Sequence, residues 1–172
     1  VIDTETRGTG FDSKNRPIIL FEPHIFHKQL TAHKPELLKS AINQGLAYKS
    51  WGTKKYPKDS YPVLEQAIVL DEELALRSAS WGLGQIMGFN HSMAGYKSAK
   101  EMVEKFKEDE EDHLLAMVRF IISAGLDDEL RRHDWRGFAR GYNGAGFEKN
   151  QYDVKLAKAY ARWMKIKDTP FP

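Results

Sequence analysis

Three short segments contain polar residues whose types and spacing suit acid catalysis on a sugar. Glu5 stands three residues before the first glycine, so its carboxyl falls in the last turn of a helix that this glycine ends. Gln85 lies within Ser80–Gly88, where three glycines leave bare backbone that a ligand can approach closely. Tyr142 and Asn143 precede another glycine. Cleavage of a glycosidic bond needs such a set, because an acid protonates the leaving oxygen while amide and phenol groups hold the sugar substituents.

Each segment also has a simpler interpretation. A lone Glu5 is usually a solvated carboxylate, Gln85 a helix cap, and the pair at 142–143 a helix end with Asn in a left-handed conformation. The glycines also suit a tight crossing of two helices. We interpret Ser80–Gly88 as the floor of a binding cleft, because each glycine costs about 1 kcal/mol relative to Ala in a helix interior and the missing side chains need a purpose.

Size and composition restrict the class of protein. The 172 residues suit one domain with a real core, and we expect residues 1–172 to be a single catalytic domain. A net charge of +2 does not give the strong basic field of a nucleic-acid binder, so no nucleic-acid partner is expected. The absence of cysteine excludes disulfides, thiol nucleophiles and cysteine-ligated zinc. No apolar run reaches the roughly 18 residues of a membrane span, so no membrane partner is expected either.

Helical periodicity dominates the chain and predicts a mainly α (α+β) fold. Pro23 and Pro35 mark helix starts, and a longer helix over 62–79 leads into the glycine segment. The most apolar helix, which Gly125 ends, is predicted to be the central core helix through Leu114, Leu115, Met117, Val118, Ile121 and Ile122. The last helix is expected over 151–167, with inward side chains from Val154, Leu156, Ala157, Tyr160 and Met164.

Two stretches depart from the helical period. Gly10–Pro17 is dense in turn formers and Ile18–Glu22 reads as a short β segment, so a small hairpin or sheet is expected over about residues 9–22. Residues 45–61 follow no period, which predicts a long surface loop. Its aromatic side chains suit stacking on sugar rings, and an irregular packed connection is an equally good interpretation. Ser98 and Asp134 are predicted helix caps.

The other polar clusters give weaker signals. His24 and His27 beside Glu22 imitate part of a metal site but lack a convincing further ligand, so no metal is expected, and no motif calls for a cofactor. The acidic run over 108–112 reads as the solvated start of a helix, where negative charge is favourable. Three further histidines are scattered along the chain: His91, His113 and His133.

The three segments resemble the motif blocks of one known superfamily. Glu5-Thr6-Arg7-Gly8, the Ser80–Gly88 segment and Tyr142-Asn143-Gly144 look like those of the lysozyme-like superfamily, which includes goose-type lysozymes and soluble lytic transglycosylases. The N-acetylmuramidase domain of phage endolysins is especially similar. Its arginine-proline turn and the block that follows are matched by Arg16-Pro17 and Leu20-Phe21-Glu22-Pro23-His24-Ile25-Phe26. The resemblance continues into the last helix and covers nearly the whole chain.

The resemblance implies a two-lobed lysozyme-like helical domain that binds peptidoglycan glycan strands between its lobes. Glu5 would be the general acid that cleaves the β-1,4 bond between N-acetylmuramic acid and N-acetylglucosamine, and it would need an apolar site to be protonated near neutral pH. Glu22 is the first candidate for a second carboxylate that positions water or stabilises positive charge. A structural acceptor is an equally weighted role for Glu22, and Asp12 is a weaker rival. The expected substrate contacts are Ser80, Gly82, Gln85, Tyr142 and Asn143.

The sequence departs from that family's pattern at three places. Thr6 stands where Ser is common, and Gly84 stands where a larger residue usually precedes the Gln, which would widen the floor. The family has more helix before the acid than Val1–Thr4 supplies. We therefore expect that some upstream helix or an N-terminal wall-binding domain is missing from this chain.

Several competing functions share the same motifs. A lytic transglycosylase would use the same acid but close a 1,6-anhydro ring, and a non-catalytic peptidoglycan-binding module would keep only the cleft. A chitinase-like activity is a third alternative. From the resemblance alone, we expect a monomer made in the host cytoplasm without a signal peptide. It would reach the wall in the periplasm through a membrane lesion made by another protein and lyse the host.

Overall fold

The helix signals of the sequence are largely realised in this computed structural model. It describes residues 1–5, 8–144 and 146–166, apart from the side chain of Glu5. The predicted caps are confirmed, because Ser98 accepts a hydrogen bond from the Glu101 amide and Asp134 accepts one from the Gly137 amide. The helices are α1 Ile2–Glu5, α2 Pro23–His33, α3 Pro35–Asn43, α4 Tyr61–Leu70, α5 Glu72–Arg77, α6 Ala99–Glu108, α7 Glu110–Ser123, α8 Asp127–Arg131, α9 Trp135–Asn143 and α10 Tyr152–Ile166. Short 3-10 turns cover Gly88–Asn90 and Phe147–Asn150.

A three-stranded antiparallel sheet lies between the helices, and its strands are β1 Ile19–Phe21, β2 Ala79–Trp81 and β3 Ile86–Met87 in that order. Leu20 faces Ser80, which in turn faces Met87. The small sheet is therefore confirmed, but of its three strands only β1 lies within residues 9–22. There the chain forms a single bridge between Phe11 and Pro17, and the hairpin of the sheet is the glycine segment itself.

Two hydrophobic clusters form the core, as a two-lobed domain requires. The first contains the buried side chains of α2 to α6 and the sheet, among them Phe26 and Trp81. The second is built on α7, α9 and α10, among them Met117 and Phe138. Tyr142 packs against both clusters, so it lies where the lobes meet.

The predicted helix over 62–79 is interrupted at Asp71. This residue is extended, with φ −162°, and its carboxylate caps α5 by accepting from the Leu74 amide at 2.8 Å. Ala79 already belongs to β2. The apolar period continues across the break, which is why periodicity alone joined α4 to α5.

Two helices are less buried than predicted. In α7 the buried face includes His113, Met117 and Ile121, whereas four of the apolar residues assigned to the core are 40% to 60% exposed: Leu114, Leu115, Val118 and Ile122. In α10 only Leu156 is buried, and Val154, Tyr160 and Met164 are exposed. Lys167, the expected end of this helix, lies outside the described residues. Within the described ranges, no helix is long and apolar enough to span a membrane.

Candidate active site

The glycine segment forms a tight turn between β2 and β3. Gly82 and Gln85 both have positive φ, 65° and 48°, so the turn uses left-handed backbone at both positions. The amide of Gln85 is engaged inside this turn: its Oε1 accepts from Ser80 Oγ at 2.9 Å, and its Nε2 donates to the carbonyls of Gly82 at 2.9 Å and Ile18 at 3.2 Å. The side chain of Gln85 therefore stabilises the conformation of the turn between β2 and β3.

Tyr142 joins the second lobe to this floor. Its hydroxyl donates to the Gly84 carbonyl at 2.9 Å, and its ring stacks on Phe138 at 5.3 Å and meets Phe120 edge-on at 5.5 Å. Asn143 is the half-buried last residue of the same helix, α9. Ser80, Gln85 and Tyr142, far apart in sequence, are thus within one hydrogen-bonded unit.

Gly84 does not widen the floor, contrary to the expectation from sequence. A Cβ added there would lie 3.0 Å from Tyr142 Oη and 3.1 Å from Met117 Cγ. The space that a side chain would need is therefore already filled by α7 and α9. On this side of the turn, the backbone of Gly84 packs directly against the side chains of Tyr142 and Met117.

The segment that follows Glu5 is tied to the same floor. Glu5 ends α1, and Ile2 packs on the second cluster, to which Tyr142 also belongs. Further on, the Gly10 carbonyl accepts from Ile18 N at 2.7 Å, and the Ile18 carbonyl accepts from Gly82 N at 2.8 Å. Backbone hydrogen bonds thus link Gly10, five residues after Glu5, to the glycine turn through Ile18. The side chain of Glu5 lies outside the described part of the chain.

Glu22 lies under the long loop that residues 44–60 form. It follows β1, and its carboxylate accepts a hydrogen bond from the Tyr56 hydroxyl. Only 16% of the side chain is exposed, and burial raises the pKa of Glu22 although the bond from Tyr56 lowers it. His24 Nδ1 is 3.3 Å from the Glu22 carboxylate. Burial, and to a smaller extent Lys28, lowers the pKa of His24, which disfavours the charged imidazole that an ion pair with Glu22 would need.

The carboxylate of Asp12 is bonded within the turn of residues 12–16. It accepts from Arg16 Nε at 2.9 Å and from the backbone amides of Lys14 and Arg16. Burial works against its ionisation, yet the hydrogen bonds from Arg16 and Lys14 lower the pKa of Asp12 overall. An ionised carboxylate that closes a turn in this way is well explained without catalysis.

The loop of residues 44–60 reaches across to the second lobe. Trp51 is 62% exposed, and Lys149 Nζ lies 5.2 Å above its ring, which is a cation–π contact. Lys149 belongs to the 3-10 turn that follows the Tyr142-Asn143-Gly144 motif. The contact therefore places the exposed ring of Trp51 near the chain segment that follows this motif. The predicted long surface loop is confirmed in residues 44–60.

Other features of the described residues do not point to a metal or to this site. No group of three or more His, Cys, Asp or Glu side chains is close enough there to hold a metal ion. A cavity of about 510 Å³ lies between α1, α9 and α10 and is lined by apolar side chains such as Ile2, Trp135 and Trp163. Neither the glycine turn nor Tyr142 lines it, so this cavity does not include the turn where Ser80, Gln85 and Tyr142 meet.

One residue at the centre of this arrangement is not marked by any sequence motif. His113 of α7 is buried against the glycine turn, whereas in the sequence it is one of three scattered histidines. The sequence signal for His113 is its place on the buried face of α7, one helical turn after the cap residue Asp109. The position of that face relative to the floor is not visible in the sequence.

A family profile described as N-acetylmuramidase matches residues 1–164. Among solved structures, the crystal structure of Burkholderia AP3 phage endolysin is similar, with a TM-score of 0.83 and 34% identity over 96% of this chain. The chain spans 63% of that endolysin's length. A comparison with curated proteins finds no match.

Proposed function

Because the chain belongs to the N-acetylmuramidase family, we propose that it hydrolyses peptidoglycan as the catalytic domain of a phage endolysin. The bond cleaved is the β-1,4 linkage between N-acetylmuramic acid and N-acetylglucosamine. Glu5 is the general acid that protonates the leaving oxygen. The domain acts as a monomer, without metal or cofactor, on the wall of the host cell.

One observation carries this proposal: the three motif segments belong to one connected unit. The helix that ends in Glu5 packs on the cluster shared by Tyr142, and the segment after it is bonded through Ile18 to the turn at Gly82. The hydroxyl of Tyr142 closes the unit at Gly84. A general acid works only when it is held in place relative to the bound sugar, and this unit supplies such a frame.

The residues divide into positioning and binding roles. Ser80 and Gln85 shape the turn. In this proposal the backbone of Gly82, together with Tyr142 and Asn143, borders the bound sugar. Trp51 supplies an exposed ring for stacking on a sugar face. These assignments assume that the glycan strand lies between the two clusters.

Glu22 is the proposed second carboxylate. Its burial under Tyr56 and its raised pKa also fit an anchor for the loop of residues 44–60. The separation of the two carboxyl groups decides the stereochemical outcome, since about 5–5.5 Å indicates retention and about 6.5–9.5 Å indicates inversion with a water between them.

The proposal is tested with purified sacculi and permeabilised cells. Wild type and the control Glu36→Gln, which changes an exposed carboxylate on α3, should both clear the suspension. Glu5→Gln should bind sacculi equally well and release no soluble products, because the amide cannot donate the proton. Equal clearing by all three proteins would remove Glu5 from the mechanism, and no clearing by wild type would favour a binding module.

A further inference from the structure

His113 is a fully buried histidine of α7, with 0% of its surface exposed, and it contacts α6 and the turn between β2 and β3. Its Nδ1 accepts from the Leu83 amide at 3.2 Å, and its Nε2 lies 2.7 Å from the Phe106 carbonyl. Since a backbone amide only donates and a carbonyl only accepts, these two partners place the imidazole proton on Nε2. The ring is therefore neutral with both nitrogens used.

Two glycines leave the space that this ring occupies. A Cβ at Gly10 would lie 2.2 Å from His113 Nδ1, and one at Gly82 would lie 2.7 Å from the same atom. Phe11 stacks on the imidazole at 5.0 Å. The ring thus fits between the segment that follows Glu5 and the turn that forms the floor.

The first turn of α7 holds the same segment from a second point. Glu110, three residues before His113, accepts from the Gly10 amide and from Thr9 Oγ1 at 3.1 Å. The N-terminal half of α7 therefore bonds both the Gly10 segment, through Glu110, and the glycine turn, through His113. A change in this part of α7 would move the Gly10 segment and the turn relative to each other.

We propose that His113 is a positioning residue for the glycosidase reaction. It fixes the Leu83 turn and the Gly10 segment against α7, so that the distance between Glu5 and the glycine turn is maintained. It acts through these two segments and does not touch the substrate. The inference rests on the proposed function, but the contact to Leu83 is measurable without any activity.

The hydrogen bond to Leu83 requires the neutral imidazole, because a protonated Nδ1 would face the amide as a second donor. Burial lowers the pKa of His113. The hydrogen bond to the Phe106 carbonyl opposes this only in part, as do the nearby carboxylates of Glu110, Asp112 and Asp109. The residues that pack on the ring from the other elements, Phe11, Leu83 and Phe106, carry no charge. The stabilisation is therefore complete above the ordinary value of 6.5 and is lost as the pH falls through the lower folded-state pKa.

Two amide substitutions separate the two bonds of the ring. His113→Asn keeps an acceptor near the Nδ1 position for Leu83, and His113→Gln keeps a donor near the Nε2 position for Phe106. Each variant loses one bond of the buried ring, so both should lose stability. We expect the kcat of His113→Gln to fall about tenfold while that of His113→Asn stays within about threefold, with KM changed little in either.

The matching structural readout is hydrogen exchange of the Leu83 amide, with exposed His33→Asn as the control. Protection should be lost in His113→Gln and kept in His113→Asn. In wild type no variant has to fold, and the protection factor of Leu83 should fall together with kcat as the pH drops through the lowered pKa of His113. Equal kcat losses in the two variants, or Leu83 protection that is independent of the histidine and of pH, would overturn the proposal. If wild type has no hydrolase activity, the proposed function fails while the exchange data still decide the role of His113 in the floor.

Discussion

Removal of the Tyr142 hydroxyl tests the bond that joins the second lobe to the floor. In Tyr142→Phe the ring keeps its contacts with Phe138 and Phe120, but the Gly84 carbonyl loses the donor at 2.9 Å. A buried acceptor that loses its partner costs about 1–3 kcal/mol. Because the lost bond sits on the turn that shapes the floor, we also expect kcat/KM to fall about tenfold, or about 1.4 kcal/mol in the transition state.

The stability arm is a urea unfolding curve, in which the midpoint should fall while the slope stays constant. The activity arm is the initial rate of product release from sacculi, measured well below the unfolding transition. Tyr160→Phe is the matched control, because Tyr160 lies on exposed α10 and borders the apolar cavity, away from the turn. That variant should match wild type in both arms.

The two arms refute different parts of the reasoning. An unchanged urea midpoint in Tyr142→Phe would mean that its hydroxyl bond to Gly84 adds nothing to stability. A lower midpoint with an unchanged rate would mean that the geometry of the floor does not depend on this bond. In that case the proposed frame for the acid would lose its main link to the second lobe.

Two further substitutions test the proposed roles of Glu22 and Trp51. Glu22→Gln keeps an acceptor for Tyr56, so the loop of residues 44–60 should stay in place. If the Glu22 carboxylate positions water or stabilises charge, kcat should fall at least about 100-fold. A kcat near that of wild type would assign Glu22 to anchoring the loop. Trp51→Ala should raise KM about fivefold at constant kcat, since a stacked ring contributes about 1 kcal/mol. Trp51→Phe should bring KM most of the way back to the wild-type value. An unchanged KM in Trp51→Ala would remove Trp51 from the sugar site.

Local signals in the sequence predicted most helix positions correctly. Pro23 and Pro35 begin helices because proline suits a first helical turn, and Ser98 and Asp134 cap theirs because a short polar side chain accepts from the first amides. Asp71 follows the same rule, but the apolar period on both sides hid its cap. These features depend on residues only a few positions apart.

Features that depend on distant contacts were not predictable in the same way. The sequence indicates a short β segment over Ile18–Glu22, and the strand observed there is Ile19–Phe21. Its partner β2 lies about 60 residues further along the chain, so the pairing could not be read from local signals. Hydrophobicity alone placed the α7 residues Leu114 and Val118 in the core, although the opposite face of that helix is the buried one. His113 was missed for the same reason, because its partner Leu83 is brought to it only by the tertiary fold.

The most direct measurement is the mass of the products formed by wild type from purified sacculi in water labelled with heavy oxygen, reduced at once to prevent exchange. Hydrolysis by the proposed acid mechanism predicts one heavy oxygen at the reducing-end muramic acid, and no such product from Glu5→Gln. Products lighter by one water, without label, would identify a transglycosylase. Labelled muramic acid formed equally by Glu5→Gln would contradict the assignment of Glu5 as the general acid.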